Sequence, residues 1–359
     1  ENLEMIKKNF WNNKTVLVTG HTGFKGSWLC FYLHYLGCNI IGYSLKPDKY
    51  HKLFSILNIK KKIKFNLFNN ITNKKKLSEV IKKHKPEIIF HLAAQPIVID
   101  SYKDPKVTID TNIMGTINLL EIAKINNKIK SMVIVTSDKC YKIKKNKSYY
   151  FSEESELGGL DPYSASKACA EILTNSYVKS FLSQSKQSVP RVSTVRSGNI
   201  LGGGDWGKHR LITDIIKAKT NKTKLKLRNL NSVRPWIHVL DTLTGYIKVA
   251  KKNYESNKFV GPWNFSPLDK KPRSVKKIVE YCVKNNFLNK KQIIVTKKKY
   301  HETKVLMLDS RKANRELNWK PKLNFNEAIG YTFDWYAAYK KKENMEKYTI
   351  NQIKEFLKK

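Results

Sequence analysis

The stretch that decides the fold is Thr15-Val-Leu-Val-Thr-Gly-His-Thr-Gly-Phe-Lys-Gly26. Its β-branched beginning predicts a short strand, and the apolar spacing of Ser27–Leu36 predicts a helix. Between them lie three glycines in Gly-x-x-Gly-x-x-Gly spacing, at Gly20, Gly23 and Gly26. A strand that leads through such a turn into a helix is the first unit of a parallel sheet, in which ligands bind where the strands end.

The same turn predicts a dinucleotide site. Residues without side chains let backbone N–H groups and the helix N-terminus approach a pyrophosphate, which side chains would block. Alone, the spacing would also fit an ordinary tight turn, but its place between strand and helix favours the nucleotide. The predicted contacts here are Gly20, Thr22, Gly23, Phe24, Lys25 and Gly26.

The second predicted strand, Asn39–Ser44, leaves the cofactor open between NAD and NADP. It lacks the terminal acid that binds the ribose in NAD enzymes, and Ser44 with Lys46 could accommodate the NADP 2′-phosphate. We expect NAD, because no arginine lies nearby to fork onto that phosphate. Asn70 and Ile71 follow the third strand and are expected beside the adenine, although a surface loop would explain Asn70 equally well.

Strands and helices continue to alternate along the chain. Predicted helices cover Lys74–Lys83 and Pro105–Asn126, and predicted strands cover Glu87–Leu92, Ser131–Thr136 and Val192–Arg196. This order predicts an α/β fold, a Rossmann-type doubly wound parallel sheet with a smaller mixed α/β substrate lobe. Further residues expected at the cofactor are Ala93, Ala94, Gln95, Asn112 and Thr136.

The predicted organisation has two parts and a tail. We expect residues 10–197 to form mainly the NAD-binding domain and residues 198–345 mainly the nucleotide-sugar-binding lobe, with Gly261–Phe265 returning to the sheet. Residues 346–359 are expected as a C-terminal tail. Met114 is expected in the core.

The chain of 359 residues is strongly basic. Its formal net charge is +40, from 69 Lys and Arg against 29 Asp and Glu, which raises nucleic acid as a partner. Lysine is nonetheless scattered over surface-like segments such as Lys60–Lys62 and Lys74–Lys76, which is typical of solvated faces. We therefore expect no nucleic-acid partner, although part of the positive field could serve an anionic small substrate.

The cysteine spacing and the hydropathy of the sequence indicate the cellular compartment. The five cysteines have no Cys-x-x-Cys spacing, so neither a disulfide framework nor a zinc site is indicated, and no metal is expected. The polar N-terminal segment 1–13 has no apolar region typical of a secretion signal, and no run of about eighteen apolar residues occurs. We expect a soluble cytoplasmic protein without a membrane partner.

A catalytic group is predicted downstream of the glycine turn. Tyr163 and Lys167 are four residues apart on a predicted helix, hence on one face. A nearby ammonium and a nicotinamide cation would lower the pKa of the tyrosine from about 10, so that it can take a proton from a sugar hydroxyl. Tyr-x-x-x-Lys alone is a weak signal, but Ser137 at the preceding strand end and the glycine turn favour catalysis.

Asp138 and Lys139 directly follow the candidate catalytic hydroxyl of Ser137. A simple alcohol dehydrogenase of this design needs only the hydroxyl, the tyrosine and the lysine. An additional acid and amine indicate that protons are also moved at neighbouring carbons. The sequence therefore predicts an elimination that follows an oxidation.

Seven motifs extend this interpretation: Thr19–Trp28, Phe90–Pro96, Asp110–Thr116, Thr136–Tyr141, Asp161–Lys167, Arg196–Trp206 and Arg234–Val239. Together they make the chain, from about residue 10 to 340, resemble the extended short-chain dehydrogenase/reductase family and, within it, the CDP-glucose 4,6-dehydratases. The dTDP-glucose dehydratases are similar but carry Thr-Asp-Glu where this chain has Ser137-Asp-Lys139. Ser-Asp-Lys-Cys-Tyr and Gly-Gly-Gly-Asp-Trp favour the CDP branch.

The resemblance implies a role for each catalytic residue. Tyr163 would deprotonate the C4 hydroxyl of glucose as hydride passes to the nicotinamide, while Ser137 holds the oxygen and Lys167 tunes the tyrosine. Asp138, if protonated, would donate to the departing C6 hydroxyl. Lys139 would transfer the C5 proton or only orient the acid. Hydride return to C6 would give CDP-4-dehydro-6-deoxyglucose and water and restore the cofactor.

The substrate contacts are expected from Gln95, Asn199, Arg210, Arg234 and His238, since guanidinium groups suit phosphate oxygens. For Arg234 a structural salt bridge is the alternative. The resemblance implies a homodimer or homotetramer. Two other functions stay open: another nucleotide-sugar dehydratase or epimerase acting on dTDP-glucose, GDP-mannose or a UDP-sugar, and a catalytically idle Rossmann-type or nucleic-acid-binding protein.

Overall fold

The computed structural model describes residues 10–143, 149–182, 189–227, 229–267, 273–296 and 305–359. The first nine residues of the polar N-terminal segment lie outside these ranges. The strands are β1 Thr15–Thr19, β2 Asn39–Ser44, β3 Phe65–Phe68, β4 Ile88–His91, β5 Ser131–Val135, β6 Tyr149–Phe151, β7 Arg191–Ser197, β8 Ile200–Leu201, β9 Leu225–Leu227, β10 Ile237–His238, β11 Gly261–Phe265, β12 Ile293–Val295 and β13 Leu306–Leu308.

The α-helices are α1 Phe24–Tyr35, α2 Lys52–Ile56, α3 Ile59–Lys62, α4 Lys74–His84, α5 Val98–Lys103, α6 Pro105–Ile109, α7 Gly115–Lys124, α8 Pro162–Tyr177, α9 Leu211–Thr220, α10 Val239–Glu255, α11 Val275–Lys284, α12 Arg311–Leu317, α13 Phe325–Lys340 and α14 Met345–Lys358. Two π-helical segments, Asp110–Met114 and Val178–Leu182, continue α6 and α8. Short 3₁₀ turns cover Asp138–Cys140, Asn257–Phe259 and Lys290–Gln292.

Seven strands form one sheet in the order β11-β7-β5-β4-β1-β2-β3. Every neighbouring pair is parallel. The strand order reverses at β1 and β4, and such a switch point opens a crevice at the carboxyl ends of the strands. The predicted doubly wound parallel sheet is therefore confirmed, and so is the return of Gly261–Phe265 to it.

The sheet has apolar layers on both faces, as parallel sheets require. Val16 and Val18 of β1 pack into one layer together with α1 and α10, whereas Leu17 packs into the other with α4 and α7. All three side chains are fully buried. This period of two sends alternate side chains to opposite faces, and the parallel pairing of β1, β4 and β5 places the turns that follow them along one edge.

Three short parallel pairs, β8 with β10, β9 with β12 and β6 with β13, lie outside the large sheet. Apart from β6, these strands come from the part of the chain that follows β7. They account for the mixed character predicted for the second part of the chain.

Two expectations from the sequence differ from the structure. Residues 346–359, expected as a tail, form most of α14, whose Ile353 and Phe356 are fully buried. Thr349 in this helix accepts a hydrogen bond from Trp335 Nε1 at 3.0 Å. Met114, expected in the core, is 45% exposed, because the π-helical turn that contains it lies on the surface beside α8.

Candidate active site

The glycine turn after β1 brings two backbone segments into close approach. Gly20 has φ +72°, a conformation that side chains disfavour, and an added Cβ would lie 2.6 Å from the backbone nitrogen of Ala93. A Cβ on Gly26 would lie 2.1 Å from the carbonyl oxygen of Gly20. Only glycine fits at both positions, so the turn is folded tightly against the loop after β4.

This turn fits the pyrophosphate of a dinucleotide. Gly23 is the N-cap of α1 and supplies no side-chain hydrogen bond to the N–H groups of the first helical turn. No acidic residue lies in that turn. Uncapped N–H groups and the positive end of the helix dipole favour an anion here. Glycine at positions 20 and 26 keeps this turn tight, because a Cβ there would meet the backbone of Ala93 or Gly20.

A hydrogen bond between side chains joins the glycine turn to the end of β2. Thr22 Oγ1 and Ser44 Oγ are 2.8 Å apart, and Thr22 also donates to the carbonyl of Leu45. Ser44 is buried, whereas Lys46 is exposed. Asn70 is exposed and bonds within its own loop, and Ile71 is buried against Gly115.

The buried position of His21, which lies inside the glycine turn, was not predicted from the sequence. Its ring is fully buried under Gly42, where a Cβ would lie 2.6 Å from the imidazole, and its Nε2 is 2.6 Å from Asn66 Oδ1. Burial lowers the pKa of His21 to about 4, so the ring is neutral. The absence of a side chain at Gly42 is the signal that could have indicated this packing.

The side chain of Asn112 is hydrogen-bonded to the loop after β4. This buried side chain accepts from the Gln95 backbone at 2.8 Å and donates to Ser166 of α8 at 2.8 Å. It lies in the π-helical turn, which reorients it relative to a regular helix. The Gln95 amide is bound to Thr108 and to Ile97. Predicted contacts of Ala93, Ala94 and Gln95 with ligands stay predictions.

The catalytic turn follows β5. Ser137, Asp138, Tyr163 and Lys167 are all buried. Ser137 Oγ donates to Asp138 Oδ1 at 2.9 Å and accepts from the Lys139 backbone at 3.3 Å. Asp138 Oδ2 is buried and has no hydrogen-bond partner among the described residues. Burial raises the pKa of Asp138, although Lys139, Ser137 and Arg234 oppose that rise. A carboxyl group in such a setting can retain a proton and donate it.

Helix α8 brings the tyrosine and the lysine to this turn. Asp161 caps the helix by accepting from the Ser164 backbone at 2.9 Å, and Pro162 occupies the first turn. Tyr163 is hydrogen-bonded to Ser137, and Lys167 Nζ donates to the Val135 carbonyl at 3.1 Å.

The protein groups alone raise the pKa of the tyrosine. Burial raises the pKa of Tyr163 to about 12, and its hydrogen bond to Ser137 and the charge of Arg210 only partly oppose this. Burial lowers the pKa of Lys167 to about 8. The protein groups alone therefore do not produce the predicted lowering of the tyrosine pKa, because desolvation outweighs the neighbouring cations. A nicotinamide cation is the further charge that the prediction included.

Cationic groups surround the acid. Lys139 Nζ lies 5.9 Å from the centre of the Tyr163 ring. Arg210 pairs with Asp205 at 2.7 Å and interacts electrostatically with Tyr163, and Arg234 interacts with Asp138. Burial, Lys167 and Arg210 together lower the pKa of Lys25 to about 7, which Asp138 opposes. The site therefore suits a substrate with negative charge.

The remaining predicted substrate residues, Asn199 and His238, also belong to the second part of the chain. His238 is buried and its Nδ1 accepts from the Leu240 backbone at the start of α10. Its Nε2 has no partner among the described residues. Asn199 is half-buried, and its carbonyl accepts from the Ile237 backbone. Their contacts with substrate stay predictions.

The Gly-Gly-Gly-Asp segment joins the two parts. A Cβ on Gly203 would lie 2.1 Å from the Trp335 ring, and Trp28 of α1 donates to the Gly203 carbonyl at 2.9 Å. A Cβ on Gly202 would lie 3.0 Å from the Phe24 ring. Close backbone packing on three aromatic side chains explains why glycines are needed here.

Sequence reasoning missed a buried ion pair behind the site. Glu171 and Arg196 are 3% and 2% exposed, and the Arg196 Nη2 to Glu171 Oε2 distance is 2.7 Å. Each residue left a partial signal in the sequence, but nothing there paired the two. Glu171 continues the Tyr163 and Lys167 spacing by another four residues, and Arg196 interrupts a buried β-branched strand, where a charge needs a partner.

Three comparisons place the chain among known proteins. The family model described as GDP-mannose 4,6 dehydratase matches residues 17–332. The CDP-glucose 4,6-dehydratase of Salmonella typhimurium is 40% identical, over 98% of this chain and 99% of that protein. No helix in the described part of the chain is long and apolar enough to cross a membrane.

Solved structures agree in fold. A dTDP-glucose 4,6-dehydratase from Bacillus anthracis, solved in complex with NAD, has a TM-score of 0.75 and 25% identity, covering 91% of this chain and 98% of its own. The UDP-glucose 4-epimerase of Thermotoga maritima, solved with UDP-glucose, has a TM-score of 0.79 and 19% identity, covering 90% and 99%. With a family model that matches most of its length and a relative at 40% identity, the chain belongs to the GDP-mannose 4,6 dehydratase family of NAD-dependent epimerases and dehydratases.

Proposed function

We propose that this chain is a CDP-glucose 4,6-dehydratase, a hydro-lyase that converts CDP-D-glucose to CDP-4-dehydro-6-deoxy-D-glucose and water. The observation that carries the proposal is the buried carboxyl of Asp138, which lies beside Ser137 and Tyr163 and whose Oδ2 has no hydrogen-bond partner in the part of the chain that the structure describes. An enzyme that stops at alcohol oxidation does not need this acid. The CDP-glucose 4,6-dehydratase at 40% identity supports the choice of nucleotide.

The chain's own residues divide the reaction into an oxidation and an elimination. NAD, held by the glycine turn, would supply the hydride acceptor for C4 and the hydride donor for C6. Tyr163, held by Ser137 and tuned by Lys167, takes the proton of the C4 hydroxyl. The C4 ketone makes the C5 proton acidic. Asp138 then donates its proton to the departing C6 hydroxyl, and Lys139 transfers the proton at C5.

NAD is the cofactor of this proposal. Gly20, Gly23 and Gly26 provide the cradle for its pyrophosphate, and Ser44 is bound to Thr22 instead of presenting its hydroxyl to a 2′-phosphate. The other contacts proposed for the cofactor are Thr22, Phe24, Lys25, Asn70, Ile71, Ala93, Ala94, Gln95, Asn112, Thr136, Tyr163 and Lys167. Residues 10–197 hold mainly the cofactor and residues 198–345 mainly the nucleotide-sugar.

Arg210 and Arg234 are proposed to bind the diphosphate of the substrate, with Gln95, Asn199 and His238 as further contacts. Both guanidinium groups lie close enough to Asp138 or Tyr163 to interact with them electrostatically. A nucleoside diphosphate bound there would bring the sugar to the catalytic turn. The positive charge of the site is thereby assigned to a small substrate, and no nucleic-acid partner is proposed.

Self-association as a homodimer or homotetramer is proposed through the surface of α6 to α8. Val107, Ile109, Met114 and Ile172 on this surface are between 44% and 53% exposed. An exposed apolar patch on packed helices is typical of an interface. A cytoplasmic location is proposed because all five cysteines are free, as expected in a reducing compartment.

The experiment that tests the function is incubation of the purified protein with NAD and CDP-, dTDP-, GDP- or UDP-linked hexoses. We expect a 4-keto product from CDP-glucose, detected by its absorbance in alkali and by mass spectrometry as a loss of water. A product of unchanged mass would identify an epimerase. Salt-sensitive nucleic-acid binding without any sugar turnover would instead support the idle, nucleic-acid-binding alternative.

A further inference from the structure

The carboxyl group of Glu171 lies near the catalytic turn, accepts several hydrogen bonds and has no role in the proposed reaction. It accepts from Thr194 Oγ1 at 2.6 Å, from Arg196 Nε at 2.9 Å and from Arg196 Nη2 at 2.7 Å. Thr136 Oγ1 donates to it as well. Four donors therefore satisfy both oxygens of this buried carboxyl group.

These bonds join two catalytic segments. Glu171 lies on α8, one helical turn beyond Lys167, and Thr136 directly precedes Ser137. The carboxylate therefore ties the helix that carries Tyr163 to the strand end that carries Ser137.

Arg196 extends the connection to the far end of the catalytic turn. Its Nη1 donates to Tyr141 Oη at 2.7 Å, and its guanidinium lies 4.9 Å from the centre of that ring. Tyr141 in turn donates to Asn264 of β11 at 2.7 Å. The segment Thr136–Tyr141 is thus held at both ends by one buried ion pair.

The same carboxylate is the anion that faces Lys167. Three other titratable groups of the described chain interact with this amine: Cys140 of the catalytic turn, His91 of β4 and Lys25 of α1. Burial raises the pKa of Cys140 and lowers that of His91 to about 3, so both groups are neutral. The pKa of Lys25 is lowered to about 7, so this amine changes its charge near neutral pH. Burial lowers the pKa of Lys167 to about 8, and Glu171 opposes this.

We propose that Glu171, braced by Arg196, is a positioning residue with two effects: it holds Thr136–Tyr141 against α8, and it keeps Lys167 in the ammonium form. The inference rests on the proposed function, because it assigns the residue to the support of that reaction. Both carboxyl oxygens of Glu171 are occupied by protein donors, so we assign it an effect through the catalytic residues and no direct contact with substrate or cofactor.

The test compares three variants with the wild type. Glu171→Gln removes the charge and keeps the shape, and Glu171→Asp keeps the charge but shortens its reach. Glu121→Gln is the matched control, since this glutamate pairs with Lys124 and Tyr177 on the surface of neighbouring helices. Circular dichroism and thermal unfolding establish that each variant is folded. Two readouts follow, one independent of activity.

The first readout is hydrogen exchange of peptides that cover residues 136–141. We expect faster exchange there in both Glu171 variants than in the wild type, and unchanged exchange in Glu121→Gln. Equal exchange in all four proteins would overturn the positioning role. This readout decides the inference even if the wild type converts no nucleotide sugar, an outcome that would contradict only the proposed function.

The second readout is the pH profile of C4 oxidation, followed in single turnovers at the absorbance of reduced nicotinamide. The ammonium form of Lys167 is lost as pH rises through its pKa, so a lower pKa moves the alkaline limb to lower pH. We expect a downward shift of about one pH unit in Glu171→Gln and little shift in Glu171→Asp. A uniform fall in rate with an unmoved limb would contradict the electrostatic role.

Discussion

The turn after β1 and the turn after β5 lie on the same edge of the sheet but are built on opposite principles. The glycine turn is shaped by close backbone packing, and two of its glycines leave no room for a Cβ. The catalytic turn presents buried titratable side chains, and a second layer of buried polar residues holds them. A binding surface made of backbone can be predicted from spacing, whereas a catalytic surface made of side chains depends on partners that are distant in sequence.

The largest effect is expected within the catalytic turn. Tyr163→Phe should slow C4 oxidation by about 10³-fold or more, because phenylalanine has no hydroxyl group that can take the C4 proton. Single-turnover absorbance of the nicotinamide should stay flat. Reduced nicotinamide that forms at the wild-type rate would remove Tyr163 from the oxidation.

Asp138→Asn should separate the two steps. The amide cannot donate the proton that Asp138 supplies, so elimination should slow by about 10²–10⁴-fold while C4 oxidation persists. Reduced nicotinamide should therefore accumulate on mixing with CDP-glucose. If this variant lost oxidation as completely as Tyr163→Phe does, the division of labour between the two residues would be wrong.

A smaller effect is expected in the glycine turn. Gly26→Ala places a Cβ 2.1 Å from the Gly20 carbonyl, so the turn must open and the affinity for NAD should fall about tenfold or more, equivalent to about 1.4 kcal/mol. Gly330→Ala is the control, since its Cβ would meet only Tyr281 Oη, at 3.6 Å. Calorimetric titration with NAD measures both; equal affinities would contradict the cradle.

The smallest effect is expected for Lys46→Ala. Lys46 is exposed and Ser44 is bound to Thr22, so the affinity for NAD should change less than about twofold, a difference of about 0.4 kcal/mol. Tenfold tighter binding of NADP by the wild type, lost in this variant, would overturn the choice of cofactor.

Features that depend on local sequence spacing could be predicted, whereas features that depend on partners distant in sequence could not. The sheet, the glycine turn and the return of Gly261–Phe265 could be predicted, because each rests on local spacing and a period of two. The support of the catalytic turn by Glu171 and Arg196 could not, since these residues meet only when α8 packs on β7. The raised pKa of Tyr163 was also beyond reach, because burial is a property of the folded chain.

The most direct test of the central claim follows the hydride itself. If C4 oxidation and C6 reduction occur in one active site, CDP-glucose carrying deuterium at C4 should give a 4-keto product with that deuterium in the C6 methyl group. NAD should show no net reduction over many turnovers. Deuterium that ends in the cofactor, with reduced NAD formed in proportion to product, would contradict the dehydratase account.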